Sequence, residues 1–262
     1  MYEELTLNIN DDFEMSYIDT GSVSSNNEIL LIHGWCSNKY HWKPQIDHFS
    51  NKYRVVALDL RGHGLSTAPE SGYSFQQFAE DIEILINHLN ISNPIVFGHS
   101  MGGAVAIYLT NLLQHRARGL IMVDGSIHIA EPSEQLDKNE RIRSFKNNNP
   151  QDEIALRYSN FFSHMTSSEL ADQVIADAIK TPAHVALGSL FALYRDDASV
   201  PGQFINVPSL YIANAYSPHT ELEVKKFVPN SNFAKVVQAG HFMHLESITQ
   251  SNAMIDAFVA EI

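Results

Sequence analysis

Five short runs of uninterrupted apolar and β-branched residues recur along the chain, at positions 28–33, 54–58, 94–98, 119–123 and 208–212. A strand with one wet face alternates apolar and polar side chains, so runs that never alternate belong to strands buried on both sides. Between them lie apolar residues at helical spacing: Phe75, Phe78, Ile82, Leu85, Ile86 and Leu89; Val105, Leu109, Leu112 and Leu113; and Ile248, Met254, Ile255, Phe258 and Val259. Strand and helix alternate, which predicts an α/β fold with a mostly parallel sheet covered on both faces. Positions 5–9 and 13–18 do alternate and are divided by Asn10-Asp11-Asp12, which predicts an N-terminal antiparallel hairpin at the sheet edge. Residues 232–237 read as the last strand.

From 126 to 201 the strand signal disappears. Leu156, Tyr158, Phe161, Phe162, Met165, Leu170, Val174 and Ile175 are interleaved there with acids and amides, so the segment reads as an inserted helical cap on a core formed by 1–125 and 202–262. Asn147-Asn148-Asn149-Pro150 is a loop, and Pro182 and Pro201 mark helix boundaries. A chain of 262 residues supports one core of this kind.

The net charge of −13 comes from acids scattered along the chain, with no basic stripe to neutralise phosphates, so nucleic acid is not an expected partner. The start lacks a basic segment followed by an apolar one, and no run approaches the roughly 18 apolar residues of a membrane span. A soluble, cytoplasmic protein acting on a small-molecule substrate is the expectation, without membrane association. Cys36 is the single cysteine, so an internal disulfide is excluded and a thiolate zinc site is not expected. Neither metal nor organic cofactor is implied.

Gly98-His99-Ser100-Met101-Gly102 fits the G-x-S-x-G pattern, with a buried strand before it and an apolar helix after it. Such a turn lifts the central hydroxyl above the sheet edge, and glycines at 98 and 102 remove side chains that would collide across it. A serine hydroxyl is a poor nucleophile at neutral pH and needs a base within hydrogen-bond reach. Of 13 histidines, the nucleophile-first chain order selects one after the last strand. His241, directly after Gly240, is the candidate and His244 its competitor.

Taken together, His33-Gly34-Trp35, Asp59-Leu60-Arg61-Gly62-His63-Gly64-Leu65-Ser66, Gly98-His99-Ser100-Met101-Gly102-Gly103 and Gly240-His241-Phe242 resemble the signatures of the α/β-hydrolase superfamily. The resemblance covers nearly the whole chain and is weakest in the cap. In most of that superfamily the third catalytic residue, an acid, follows the strand corresponding to 209–213. Here that place reads Asn214-Ala215-Tyr216-Ser217-Pro218-His219, without a carboxylate, and Glu221 and Glu223 open the next helix. Some members place the acid one strand earlier, and Asp124 in Met122-Val123-Asp124-Gly125-Ser126 occupies a similar position. The resemblance therefore implies a Ser100–His241–Asp124 triad, with Asn214 or Glu221 as alternatives to Asp124.

Acyl transfer also needs two donors for the developing oxyanion, for which the backbone amides of Trp35 and Met101 are the candidates. Trp35, Cys36, His99, Phe161, Phe162 and Phe191 are candidate substrate contacts. His63 reads as structural, and His128 lies where the cap begins, a solvated position or one that touches substrate. The expected activity is that of a serine hydrolase cleaving a carboxylic ester, thioester or lactone with a hydrophobic acyl or aromatic part through an acyl-enzyme on Ser100. Two other readings come with it. Gly34-Trp35-Cys36 and Arg61-Gly62-His63-Gly64-Leu65-Ser66 are also similar to cofactor-free dioxygenases that open a 3-hydroxy-4-quinolone ring, such as that of an alkylquinolone signal. A non-catalytic ligand receptor on the same fold is the other.

Overall fold

A computed structural model describes residues 2–21, 27–127 and 132–262; His128 lies outside them. Eight strands form one sheet: β1 (Leu5–Asn10), β2 (Phe13–Asp19), β3 (Glu28–Ile32), β4 (Arg54–Leu58), β5 (Pro94–His99), β6 (Gly119–Val123), β7 (Ser209–Ala213) and β8 (Ser231–Lys235). Their spatial order is β1-β2-β4-β3-β5-β6-β7-β8. The β1/β2 hairpin and its contact with β4 are antiparallel, and every other pairing is parallel. The edge hairpin and the parallel centre both follow the expected pattern. The last strand, 231–235, begins one residue and ends two residues earlier than 232–237, and the Val236 amide just beyond it still donates to the Ala213 carbonyl of β7.

Residues β3, β5, β6 and β7 contribute are buried without exception. Alternate residues of one strand face opposite layers, as the pleat requires. Leu30, Ile32, Val96 and Met122 pack against α2 (Phe75–His88) and α3 (Met101–Leu113). Ile29, Leu31, Phe97 and Val123 face the other way, toward α1 (Lys43–Phe49) and, beyond the short α10 (Met243–Glu246), α11 (Ile248–Val259). Two covered faces explain why the strand sequences never alternate. In α2 the start is set by Ser74, whose hydroxyl accepts from the Gln77 amide. Thr220 and Glu223 form a capping box at the head of α9 (Glu221–Phe227).

Between β6 and β7 the regular elements of the described chain are all helices: α4 (Pro132–Asn147), α5 (Pro150–Ser159), α6 (Ser168–Ala178), α7 (Ala183–Arg195) and the single turn α8 (Ser199–Gly202). Asn149 caps α5 with Pro150 in its first turn, and Pro182 stands immediately before α7. Pro201 lies inside α8, not at a boundary; one helical turn spares it the interior hydrogen bond that proline cannot make. This segment is pinned over the carboxyl ends of the strands. The Trp35 indole donates to the Ala186 carbonyl at 2.8 Å, and the Tyr158 hydroxyl donates to the Trp35 carbonyl. The crevice beneath is where open α/β sheets place their ligands.

Candidate active site

Ser100 stands between β5 and α3, as the N-cap of the helix, with φ 54° and ψ −120°, a backbone that residues other than glycine rarely adopt. The turn closes so tightly that a Cβ on Gly98 would sit 2.1 Å from the Gly102 carbonyl oxygen, and one on Gly102 would sit 2.4 Å from the His33 oxygen. Hydrogen bonds from the Ser100 amide to the Val123 carbonyl and from the Ser126 amide to the Ser100 carbonyl hold it in place. As the first residue of α3, Met101 has an amide with no acceptor inside the helix. The loop after β3 runs directly against this turn: a Cβ on Gly34 would meet the Ser100 Cβ at 3.1 Å. Trp35 follows in that loop.

His241 is held from several sides. Its Nδ1 lies 2.5 Å from Asp124 Oδ2, so Nδ1 carries the proton and Nε2 is left as the basic nitrogen. Its amide donates to the Phe161 carbonyl at 2.7 Å, and its own carbonyl accepts from His99 Nε2 at 2.9 Å. Glu246 accepts from both neighbouring amides, Gly240 at 2.9 Å and Phe242 at 3.1 Å. The same carboxylate accepts from the Ser163 amide at 3.2 Å and from the Thr166 hydroxyl. Glu246 therefore ties the histidine loop to the loop between α5 and α6.

Asp124 leaves the end of β6 at φ 46°. Asn214 donates to it twice, from Nδ2 to Oδ2 at 2.5 Å and from the amide to Oδ1 at 3.4 Å. Burial pushes the Asp124 carboxyl up, but the hydrogen bond and charge of His241 and the two Asn214 donors outweigh it and hold the group below the usual carboxylate range. The alternatives for the acid go elsewhere. Asn214 supports Asp124 and not the imidazole, and Glu221 pairs with Lys225 on the surface.

A cavity of about 40 Å³ is lined by Ser100 and His241 together with Trp35, His99, Tyr158, Phe161, Arg157, Leu193, Gly34 and Phe242. Of the six expected substrate contacts, Trp35, His99 and Phe161 face it. Cys36 is buried in the core behind the loop, where burial drives its thiol well above the ordinary range. Phe162 points to the far side of its loop, stacked on Phe242, and lines an outer groove of about 370 Å³ with Asn214 and His241. Phe191 sits on the outer face of α7 beneath the Lys146 ammonium and is 36 % exposed. Apolar spacing after β6 picks out Phe162 and Phe191, and its place beside Trp35 in the loop after β3 picks out Cys36; neither signal tells which side of a helix or loop meets the site.

His244, the competitor, is wholly buried behind His99 with their ring centres 4.4 Å apart, and neither of its nitrogens has a partner among the described residues. His63 Nδ1 donates to the Arg61 carbonyl, 2.9 Å away in its own loop, and its Nε2 has no hydrogen-bond partner among the described residues. Among the described residues no group of three or more His, Cys, Asp or Glu side chains is placed to hold a metal ion. No helix among them is long and apolar enough to cross a membrane.

The family model for the alpha/beta hydrolase fold matches residues 27–248. The chain belongs to the α/β-hydrolase fold family. This hydrolase-fold chain is 27 % identical over 227 residues to 3-oxoadipate enol-lactonase 1 of Acinetobacter baylyi, covering 84 % of each chain. It is 26 % identical over 230 residues to a putative esterase/lipase of Haemophilus influenzae, covering 83 % of this chain and 78 % of that one. Its fold superimposes on that of a bromoperoxidase from Bacillus anthracis with a TM-score of 0.89 at 20 % identity, over 98 % of this chain and all 100 % of the other. Relatives named as lactonase and esterase support hydrolase activity.

Several residues of the hydrolase site carry no motif. Arg157 is the one guanidinium in the otherwise apolar and polar-neutral run from 154 to 163, a signal of position but not of direction. Glu246 follows His241 by five residues and reads as an ordinary helix-end acid. Asn214 stands where a carboxylate was expected, and its presence there is intelligible once Asp124 is seen to need a donor.

Proposed function

We propose that this protein hydrolyses a carboxylic ester, thioester or lactone through an acyl-enzyme on Ser100. His241 Nε2 takes the hydroxyl proton as Ser100 Oγ bonds to the carbonyl carbon, and the carbonyl π electrons move onto oxygen. The amides of Trp35 and Met101 stabilise that oxyanion. The tetrahedral intermediate collapses, His241 returns the proton to the departing alkoxide or thiolate, and water repeats the sequence to release the acid. Asp124 keeps the imidazole in the required tautomer and stabilises the imidazolium.

The observation that carries this reading is the convergence of Ser100, on its strained turn, and His241, backed by buried Asp124, on one cavity. The similarity to an enol-lactonase and an esterase supports an acyl carbon as the point of attack. Trp35, Tyr158, Phe161 and Leu193 around the cavity favour a substrate with an apolar acyl or aromatic part. At about 40 Å³ the cavity admits a few atoms only, so a larger substrate would extend toward the neighbouring grooves, both of which share Phe161 with this cavity.

The test is turnover of p-nitrophenyl esters together with stoichiometric fluorophosphonate labelling of Ser100. Both should vanish in Ser100→Ala and in His241→Ala. Oxygen-dependent ring opening of a 3-hydroxy-4-quinolone that survives Ser100→Ala would replace the hydrolase reading with the dioxygenase one; labelling without turnover of any ester would favour a receptor.

A further inference from the structure

We propose that Arg157 binds a carboxylate carried by the substrate, so that the preferred ester or lactone is a derivative of a dicarboxylic acid. The inference rests on the hydrolase reading and adds the substrate class to it.

Four other arginines each have a carboxylate partner: Arg54 with Asp19, Arg61 with Asp81, Arg116 with Glu83 and Arg195 with Asp196. In a chain with a net charge of −13 such partners are plentiful. Arg157 differs. Glu153 stands one turn earlier on α5, the ordinary helical partner at that spacing. Its Oε1 instead accepts from Ser144 Oγ at 2.8 Å and Asn148 Nδ2 at 2.6 Å. Among the described residues the Arg157 guanidinium meets neutral groups: the Tyr194 hydroxyl, 3.0 Å from Nη2, and the Trp35 ring, whose centre is 5.3 Å from Cζ.

The position of this charge is specific. Arg157 lines the cavity that holds Ser100 and His241, and it also lines a groove of about 510 Å³ between α4 and α5, whose other charged residues are Glu140, Arg141 and Glu153. It therefore stands where a chain leaving the scissile carbonyl would pass outward. Its Cζ lies over the Trp35 ring, and a guanidinium presents five N–H donors, of which the Tyr194 contact uses one. A planar cation with unused paired donors matches a carboxylate in a bidentate arrangement. Trp35 also supplies the proposed oxyanion amide, so charge recognition and carbonyl activation are fixed on one residue.

The test compares mono-p-nitrophenyl glutarate with the neutral p-nitrophenyl pentanoate on the wild type, Arg157→Met and Arg157→Lys. Met keeps an apolar stem over the indole without the charge. The wild type should favour the anionic ester, and the ratio of the two kcat/KM values should fall about 10- to 100-fold in Arg157→Met, chiefly through KM, with part of the loss restored in Arg157→Lys. An unchanged ratio in Arg157→Met, or a wild type that prefers the neutral ester, overturns the proposal. Calorimetric titration with glutarate separates it from the hydrolase reading. Binding to the wild type that disappears in Arg157→Met supports the anion site even if neither ester is cleaved; no binding to the wild type, or equal binding to both, overturns it.

Discussion

Replacing Asp124 with asparagine preserves the shape of the site while disturbing its hydrogen bonding. The carboxylate accepts at Oδ2 from both His241 Nδ1 and Asn214 Nδ2 at 2.5 Å, and at Oδ1 from the Asn214 amide at 3.4 Å. An amide offers one oxygen and one NH₂. With its oxygen toward His241, the NH₂ confronts the Asn214 amide, two donors facing each other. Turned around, it confronts Asn214 Nδ2 and compels His241 to accept at Nδ1, which puts the ring proton on Nε2, where the base must be empty. In both arrangements the imidazolium formed during attack loses its counter-charge. Two unit charges about 4 Å apart in surroundings of effective dielectric about 20 attract by about 4 kcal/mol, or roughly a thousandfold in rate. The expected loss in kcat for p-nitrophenyl acetate is therefore about 10²- to 10⁴-fold, with little change in KM. A thermal melt close to that of the wild type would show that the fold survives. Asp124→Asn turning over within tenfold of the wild type would refute the assignment. The pH dependence supplies a second arm. Because the folded carboxyl lies below its usual range, the stability it contributes is present above about pH 4, its unfolded value, and is lost as pH falls through the folded one. The variant should lack that acid-side component.

Glu246→Gln should lower kcat about tenfold and lower stability by about 1–3 kcal/mol, because one buried-side acceptor set serves two loops; an enzyme with wild-type kcat and melting temperature would show that the clasp is incidental. His33, His99 and His244 are driven well below the usual imidazole range by burial first and by neighbouring histidines, and burial lowers His63 to about 4. Below about pH 6.5 the unfolded chain then binds protons that the folded chain does not, so stability must fall as pH falls, by about 1.4 kcal/mol per pH unit for each such histidine. Denaturant melts between pH 5 and 7 measure this directly, and a flat profile would contradict the burial of these rings.

The sheet was legible because its signal is local and redundant. Each of β3 to β7 announces itself within five or six residues, and the turn at Ser100 is written in three glycines, 98, 102 and 103, whose absent side chains are each required by a backbone atom within 3 Å. Asp124 was reachable only through likeness to other chains, since nothing around Met122-Val123-Asp124 marks a carboxylate that will meet an imidazole 117 positions later. Glu246 and Arg157 were not reachable at all. Glu246 acts through partners 80 and 83 residues away, and the contact between Arg157 and Trp35 joins an α5 residue to the loop after β3. Cys36, Phe162 and Phe191 illustrate the opposite error. Their apolarity was read correctly, but the side from which each is covered depends on how the helices after β6 settle on the sheet.

The hydrogen bond from the His241 amide to the Phe161 carbonyl has a bearing on how this protein can change. Phe161 belongs to the segment that shapes the space above Ser100, and His241 to the core. New specificities on an old scaffold arise by altering such overlying segments. Here a foreign segment would arrive without the acceptor for the base's own peptide group and without Ser163 and Thr166 for Glu246 to grip. On the proposed mechanism selectivity and rate are thus tied together in this chain: a graft that widens the range of substrates would also have to rebuild the support of the histidine, or it would bind its new substrate and turn it over slowly.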